Sequence, residues 1–407
     1  MRLTNWLSRL ARQRPGSRRF TRRKRNGDLR PAIERLEDRT LLAAPHPFDL
    51  STLDGTNGFR LDGIDTDDLS GVGLDTAGDV NGDGFDDLII GASGGDPGGR
   101  IDAGETYIVF GQMTGWSATF DLSTLDGTNG FRIDGIDAGD ISGWAVSTAG
   151  DVNGDGYADL LIGAKYAEAK AGESYVVFGS GAGFSASLGL STLDGTNGFR
   201  LDGVDANDQS GLWLDSAGDV NGDGYNDIII GARYADAGGN ADSGEAYVIL
   251  GESGGFAAAI DLAALNGNDG FRLDGVDPGD HAGVHVGSAG DVNGDGYDEF
   301  YVSSTWADPG GRSLAGETYV VYGKPSGFAA AIDLGTLDGS SGFRIDGLSG
   351  GDKLTLGRPG DVNGDGFDDM LMTARWGDPG GRSNAGETYV VFGKSGSFGS
   401  SFDLSSL

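Results

Sequence analysis

Short apolar runs alternate with clusters of glycine and aspartate along residues 46–407. The continuous run at residues 88–90 predicts a strand covered on both faces, and residues 107–110 predict the strand that follows it. Residues 131–134 alternate apolar and polar side chains, which predicts an outer strand with one solvated face. The small, glycine-rich residues 143–147 predict a first strand in a crowded position. Because no segment keeps a helical apolar period, the pattern predicts an all-β chain in which helices are minor or absent.

These elements recur in five copies of one repeat of roughly 70 residues. The segment Asp-Val-Asn-Gly-Asp-Gly returns at steps of 72, 68, 72 and 70 residues, between the first and second strands. A sheet of four short strands cannot cover its own faces, so neighbouring sheets must cover one another. The repeat therefore predicts a β-propeller of four-stranded antiparallel blades. The copies of the segment begin at Asp79, Asp151, Asp219, Asp291 and Asp361.

The two ends of the repeat array carry complementary parts of one blade. Residues 59–61 match a fourth strand, and residues 389–392 match a third strand. Pairing these segments would close a ring of five complete blades and remove an unpaired sheet edge. Residues 401–407 begin a further copy of a Phe-Asp-Leu-Ser motif, so the alternative is a fragment of a longer ring.

Charge is divided sharply between the N-terminus and the rest of the chain. Residues 1–45 hold 13 basic and 4 acidic side chains, whereas residues 46–407 hold 16 and 58, a net charge of −42. A body this acidic is repelled by nucleic acid and anionic lipid, so we expect cations and no nucleic acid as partners. The absence of cysteine excludes disulfides and thiol catalysis. No apolar stretch reaches the ~18–20 residues of a transmembrane helix.

The basic residues 1–45 are predicted to be a targeting segment, with the propeller at residues 46–407. Residues 33–43 resemble the LEPRxLL-type N-terminal segment of large bacterial exported proteins, with Asp38 where that pattern usually has proline. The resemblance implies bacterial export, so a secreted or cell-surface protein is expected.

The segment between the first and second strands has the composition of a calcium loop. In residues 79–87, oxygen-bearing side chains occupy positions one, three, five and nine, and a glycine at position six allows a sharp turn. With the carbonyl of position seven, this donor set suits a hard cation such as Ca²⁺. Plain turns are the alternative, but three unpaired carboxylates within nine residues would repel one another in every copy. Position twelve is apolar throughout, so the loop is not an EF-hand.

We expect about five Ca²⁺ ions, one in each of the loops at residues 79–87, 151–159, 219–227, 291–299 and 361–369. The fourth copy departs from the pattern, since glutamate replaces aspartate at position nine. The predicted ligands are Asp79, Asn81, Asp83, Phe85 and Asp87; Asp151, Asn153, Asp155, Tyr157 and Asp159; Asp219, Asn221, Asp223, Tyr225 and Asp227; Asp291, Asn293, Asp295, Tyr297 and Glu299; and Asp361, Asn363, Asp365, Phe367 and Asp369.

The loop followed by the apolar strand and Gly91-Ala92 resembles the FG-GAP repeat of integrin α-chain propellers and their bacterial relatives. The resemblance implies a β-propeller, Ca²⁺ in these loops, and a role in adhesion or extracellular recognition. Integrin propellers usually have seven repeats, so the longer ring of the alternative would be seven-bladed. The Gly-Ala pair weakens to Ser303-Ser304 and Thr373-Ala374 in the last two copies. No Arg-Gly-Asp sequence is present, so the resemblance implies no particular ligand.

A second recurring pattern falls on the face opposite the loops. An aromatic residue follows the Gly-Ala-type pair, and an acid follows two residues later. Such a ring could bind a sugar or a protein, or the aromatics could pack onto neighbouring blades. Another loop on this face carries regularly spaced acids, such as Asp134, Asp137 and Asp140. These acids could form additional cation sites, or they could be solvated side chains of a turn. The aromatics are Tyr166, Tyr234, Trp306 and Trp376.

The sequence favours a binding protein over an enzyme. Its three histidines, His46, His281 and His285, do not recur between repeats, and no nucleophile or phosphate-binding motif is present. We expect an extracellular calcium-binding propeller that acts in adhesion or in surface recognition of a protein or glycan. A structural cell-surface component and, more remotely, a carbohydrate-active enzyme are the alternatives.

Overall fold

The computed structural model describes residues 49–404 and 407. The chain divides into residues 1–51 and residues 52–407, and the fold concerns the second unit. The predicted targeting segment at residues 1–45 lies outside the described residues. Among the described residues, no helix combines the length and the apolar character needed to cross a membrane.

The second unit is built from five successive blades, which we number 1 to 5, and each blade contains strands of the same kinds. The first strands are Gly73–Gly78, Ala145–Gly150, Trp213–Gly218, His285–Gly290 and Thr355–Leu356. The second strands are Asp87–Ala92, Asp159–Ala164, Asp227–Ala232, Glu299–Ser304 and Met370–Ala374. The third strands are Glu105–Val109, Glu173–Val177, Glu245–Ile249, Glu317–Val321 and Glu387–Val391. The fourth strands of blades 1 to 4 are Gly130–Asp134, Gly198–Asp202, Gly270–Asp274 and Gly342–Asp346.

These four strands pair antiparallel in sequence order, which confirms the predicted propeller-like repeat. The prediction of four strands per blade was incomplete, because a fifth, parallel strand lies on the outer edge of the fourth. The following repeat supplies this strand, so consecutive repeats interlock. The fifth strands of blades 1 to 4 are Ser187–Gly189, Ala259–Asp261, Ala331–Asp333 and Ser401–Asp403. The last one accounts for the motif near the C-terminus.

The helices among the described residues are short, as expected. One set of 3-10 turns overlaps the Phe-Asp-Leu-type motif, and a second set lies after the second strands. In blade 2, a single α-helical turn follows the second strand in place of the 3-10 turn. They are Leu50–Thr52, Leu122–Thr124, Leu190–Thr192, Leu262–Ala264 and Leu334–Thr336; Pro97–Gly99, Ala237–Gly239, Pro309–Gly311 and Pro379–Gly381; and Ala167–Lys170.

The hydrophobic core lies between blades. One cluster joins blade 2, through residues such as Leu161 and Phe199, to blade 3, through Ile230 and Tyr247. Equivalent clusters join blades 1 and 2, 3 and 4, and 4 and 5. Neighbouring blades therefore cover one another's apolar faces, as the repeat predicted.

The glycine of the Gly-Ala pair is required by the close approach of neighbouring blades. A Cβ atom at Gly91 would lie 1.8 Å from the carbonyl oxygen of Gly143 in the next blade, and Gly163 and Gly231 stand in the same relation to blades 3 and 4. The constraint is relaxed where blade 5 follows blade 4, because the first strand of blade 5 has only two residues. Ser303 fits there, with its hydroxyl 3.2 Å from that of Thr355.

The expected closure of the ring by its two ends is not found, and this part of the prediction is corrected. The strand Arg60–Asp62 pairs with Thr119–Asp121, and Glu387–Val391 pairs with Met370–Ala374; within the described part of the chain, these two edges do not pair with each other. The first edge is held beside blade 1 by packing of Phe120 and Trp116. The second edge is fixed within blade 5. The spacing of the edges is therefore set by the four interfaces between successive blades, which do not bring them into contact.

Candidate metal centres

The predicted loops connect the first and second strands of all five blades, so they share one face of the propeller-like array. In blade 1, Asp79 and Asn81 are partly exposed, Asp83 and Phe85 are exposed, and Asp87 is buried at the start of the second strand. The same gradient, from exposed positions to a buried position nine, recurs in the other loops. The loops thus combine a solvent-facing acidic turn with one carboxylate inside the fold.

Backbone N–H groups organise the exposed part of each loop. Asp79 Oδ1 accepts hydrogen bonds from the amides of Gly82 and Asp83 at 2.8 and 3.0 Å, and its Oδ2 accepts one from Gly84 at 2.8 Å. Asp83 Oδ1 accepts a hydrogen bond from the amide of Phe85 at 3.0 Å. Position one therefore shapes the turn, while its carboxylate keeps lone pairs beyond those used by the backbone.

The buried position nine ties the loop to the rest of the blade. Asp87 Oδ2 accepts a hydrogen bond from Val80 N, and its Oδ1 accepts one from Gly111 N, directly after the third strand. Burial raises the pKa of Asp87 to about 7; its two N–H donors lower that pKa, and the Asp83 and Asp79 carboxylates raise it. Burial likewise raises the pKa of Asp159 and of Asp227 to about 8. A carboxylate held in this setting is costly to ionise without a nearby positive charge.

The fourth loop differs from the others, as the sequence indicated. Glu299 is longer than aspartate, and its Oε1 accepts a hydrogen bond from the Asn293 side chain at 2.8 Å. In the other four loops this asparagine instead donates to position five, as Asn81 does to Asp83. Burial raises the pKa of Glu299 to about 9. The substitution therefore redirects position three away from the exposed carboxylates.

The donor chemistry of the loops fits a hard cation. Carboxylates at positions one, five and nine, together with an amide oxygen, are the ligands that Ca²⁺ prefers. The carboxylates of positions one and five lie close enough to position nine to raise its pKa. Among the residues that the structure describes, no group of three or more acidic or histidine side chains converges as a ready metal cluster. The loops place the donors around one turn without drawing their side chains together.

Neighbouring loops are joined in a way that the sequence analysis missed. The amide of Asp219 donates to the carboxylate of Asp298, at position eight of the next loop, while Asp298 N donates to the Asp219 carbonyl. The position-seven ring of each following loop covers the position-four glycine of the preceding one: a Cβ at Gly154 would lie 2.1 Å from Tyr225 Cε1. The recurrence of an aromatic residue at position seven was the signal that could have revealed this contact.

The aromatic residues on the opposite face stay partly exposed. Tyr166, Trp306 and Trp376 retain 38, 42 and 47% exposure. Cations lie over the rings, such as Arg375 over Trp376, with its guanidinium carbon 5.6 Å from the ring centroid. The acids that follow have a structural use, because Asp96, Asp236, Asp308 and Asp378 accept hydrogen bonds from backbone amides within their own loops.

The remaining candidate acids and histidines are built into the fold. Asp134 is ion-paired with Arg132, and burial raises the pKa of Asp140 to about 6. His281 packs between Tyr234 and Trp306, and burial lowers its pKa. His285 packs on Trp213, with ring centroids 4.4 Å apart. His46 lies outside the described residues.

Comparison with known families identifies the repeat. The FG-GAP repeat family matches residues 71–109, 142–177, 213–249 and 357–391. Each match ends at the third strand of a blade and contains the candidate loop; the first three begin at the first strand or just before it, and the fourth begins directly after it. Blade 4 is outside the four matches, and it is the blade with Glu299 at position nine and Ser303-Ser304 in place of the Gly-Ala pair.

The similar proteins fall into two groups. A phosphatidylinositol-glycan-specific phospholipase D of Bos taurus is 31% identical over 195 residues, which is 47% of this chain and 22% of the relative. Integrin alpha-PS2 of Drosophila melanogaster is 32% identical over 189 residues, which is 46% of this chain and 12% of the relative. Integrin alpha-IIb of Mus musculus is 37% identical over 108 residues, which is 26% of this chain and 10% of the relative. The chain therefore spans less than a quarter of the length of these relatives.

Proposed function

We propose that this chain, which carries four FG-GAP repeats and is homologous to integrin α chains, is a calcium-binding recognition module that acts outside the cell. Its role is adhesion or surface recognition of a protein or glycan partner. The observation that carries the proposal is the repeated loop, in which exposed carboxylates surround a turn and a further carboxylate is buried beneath them.

Calcium supplies the positive charge that this arrangement lacks. The residues at positions one, three, five, seven and nine would hold the ion, and the buried carboxylate would then stay ionised. Because each loop also contacts its neighbour, an ion bound in one loop stabilises an interface between two blades. Ions that bind only the folded chain stabilise it by mass action.

Calorimetric titration of the calcium-free chain with Ca²⁺ tests the metal proposal. We expect about five ions per chain, with the loop that contains Glu299 the weakest. Asp83→Asn should remove one ion, because it takes away a charged ligand at position five. Asp86→Asn is the matched control: it removes an equal charge from the same loop, outside the proposed ligand set, and should leave the number of bound ions unchanged. No measurable binding at millimolar Ca²⁺ would refute the proposal.

The recognition role is proposed without catalysis. The recurring acids of the loops belong to the proposed calcium sites or accept hydrogen bonds from backbone amides, and those of the strands are ion-paired, as Glu105 and Asp134 are with Arg132. The phospholipase relative aligns over only 22% of its length. Assays for hydrolysis of glycosylphosphatidylinositol and of polysaccharides should therefore give no activity. Turnover that disappears in an acid-to-amide variant would establish an enzyme instead.

A secreted or cell-surface location accompanies this proposal. It rests on the resemblance of residues 33–43 to bacterial export segments. An array of glycans and matrix proteins, probed with the calcium-loaded chain, separates a recognition module from a purely structural surface component. Retention of at least one class of ligand supports recognition, and a blank array favours the structural role.

A further inference from the structure

The first strands of the blades enclose a cavity of about 390 Å³ on the axis around which they are arranged. Its walls come from the first strands of blades 1 to 4 and from Arg358 of blade 5. Trp213 and His285 stand where their strands begin, on the face opposite the calcium loops, and Trp213 remains 40% exposed. Asp75, Ser147 and Asp215 lie two residues further along their strands. The cavity therefore has an aromatic mouth and a polar interior.

The polar interior has more acceptors than donors. Ser147 Oγ lies 2.8 Å from Asp75 Oδ2 and 2.7 Å from Asp215 Oδ1, yet a hydroxyl has one hydrogen to donate. The Arg358 guanidinium pairs with Asp75 and lies 3.5 Å from Asp215 Oδ1. These groups leave carboxylate lone pairs directed at the cavity, so a ligand that brings hydroxyl donors would complete the network.

The hydroxyl of a largely buried tyrosine also opens onto the cavity wall. Tyr301, on the second strand of blade 4, is 6% exposed and lines the cavity. It reaches this position because Gly287 in front of it has no side chain; a Cβ there would lie 3.1 Å from the Tyr301 hydroxyl oxygen. Among the hydrogen bonds of the described residues, none involves this hydroxyl. A tyrosine hydroxyl that opens onto a cavity can donate a hydrogen bond to a ligand that enters it.

We infer that this axial cavity binds a short neutral saccharide. The ligand packs one face of a sugar ring on Trp213 at the mouth, and its hydroxyls donate to Asp75 and Asp215 and accept from Arg358 and Tyr301. A cationic ligand fits less well, because Arg358 occupies the interior and the Lys165 ammonium lies 3.1 Å from the centroid of the Trp144 ring at the wall. The volume is near the lower end of the ~300–1,000 Å³ typical of small-ligand sites, which suits one or two sugar rings.

This inference rests on the proposed recognition function and gives that function a ligand class. Neutral methyl hexopyranosides and their disaccharides, titrated into the calcium-loaded full chain by calorimetry, are the probes. We expect one site per chain for at least one of them. Trp213→Ala and Asp215→Asn should each weaken binding at least tenfold, because the first removes the stacking surface and the second replaces an acceptor oxygen with a donor. Leu371→Ala, an exposed position on blade 5, is the control and should bind as the parent chain does.

Several results would overturn the inference while leaving the recognition function standing. Equal affinity in the parent, Trp213→Ala and Asp215→Asn chains would place the sugar elsewhere. Binding lost in a Trp306→Ala, Trp376→Ala double variant and kept in Trp213→Ala would assign it to the loop aromatics. Binding of methylammonium in place of every sugar would make the cavity a cation site. If no probe binds and the glycan and protein array is also blank, the proposed function fails together with the inference. Melting temperatures of all variants exclude misfolding as the cause.

Discussion

At the scale of single residues, the repeat is held together by contacts that each copy makes with the next. Gly154 has a φ of +74°, and its missing Cβ leaves space for the ring of Tyr225. Gly364 occupies the same loop position with a φ of +76°, but no atom lies within 4 Å of where its Cβ would be. Within the array, glycine at position four is therefore required both by its left-handed backbone and by the neighbouring aromatic ring. In the last loop it is required only by its left-handed backbone.

Alanine substitution separates these two reasons. Gly154→Ala and Gly364→Ala both pay the cost of a left-handed backbone, about 1 kcal/mol. Only Gly154→Ala must also displace an aromatic ring, which adds about 1–3 kcal/mol. Denaturant unfolding should therefore show a larger loss of stability for Gly154→Ala. Equal losses would mean that the ring moves aside freely and that the loops are not packed on each other.

Val220 and Val362 form a second pair of matched positions. Val220 is fully buried against the next blade, whereas Val362, at position two of the last loop, is 70% exposed. Val220→Ala should lower the free energy of unfolding by about 1–3 kcal/mol, and Val362→Ala should change it by less than about 0.5 kcal/mol. The difference in chemical-denaturation midpoint between the two variants measures the interface, because the substitution is the same.

At the scale of strands and loops, the sequence predicted the features that depend on residues close together in the chain. The second strand followed from its continuous apolar run, and the loop acids followed from their spacing. The fifth strand was missed because Ser187–Gly189 is three residues long and pairs with a strand of the preceding repeat. The polar groups of the axial cavity were missed because Asp75, Ser147 and Asp215 differ between copies. All three occupy the third position of their first strands. Only this shared position could have indicated that their side chains meet at one axis.

Hydrogen exchange should differ between the last two blades. In the second strand of blade 4 every residue is buried, whereas in blade 5 Leu371 is 41% exposed. Blade 5 also lacks fourth and fifth strands among the described residues. The amides of Met370–Ala374 should therefore exchange at least about tenfold faster than those of Glu299–Ser304. Equal protection, measured by mass spectrometry of peptides from the two blades, would show that blade 5 is completed in solution.

At the scale of the whole molecule, the acidic character of the chain sets its response to pH. Burial raises the pKa of Asp208 and of Asp280 to about 7, from the usual 3.8, and these side chains lie away from the proposed calcium loops. The folded chain therefore binds protons more tightly than the unfolded chain. The sign follows: the stability that these two groups contribute is fully present below about pH 4 and is lost as pH rises through 7.

Melting of the calcium-free chain between pH 5 and pH 8 checks this sign. The melting temperature should fall as pH rises, and Asp208→Asn should reduce the fall, because asparagine keeps the shape of the protonated acid. Glu252→Gln, at an exposed acid away from these loops, is the control and should leave the slope unchanged. A melting temperature that rises over this range would contradict the prediction.

The number of blades in a closed ring was not predictable from the repeat alone. Closure depends on the angle between neighbouring blades, which many small contacts set together, and no single residue encodes it. The edges Arg60–Asp62 and Glu387–Val391 match in sequence as a fourth and a third strand, yet the blade interfaces keep them apart. The family resemblance was enough to identify the repeating blade. The arrangement of the blades could be determined only from the structure.

We propose that divalent cations neutralise the loop carboxylates and thereby hold the blades together. Differential scanning calorimetry of the full chain, with millimolar Ca²⁺ and with excess chelator at one ionic strength, tests it most directly. Chelation should lower the melting temperature by about 10 °C or more, and added Ca²⁺ should restore it. Identical melting curves under the two conditions would contradict the account.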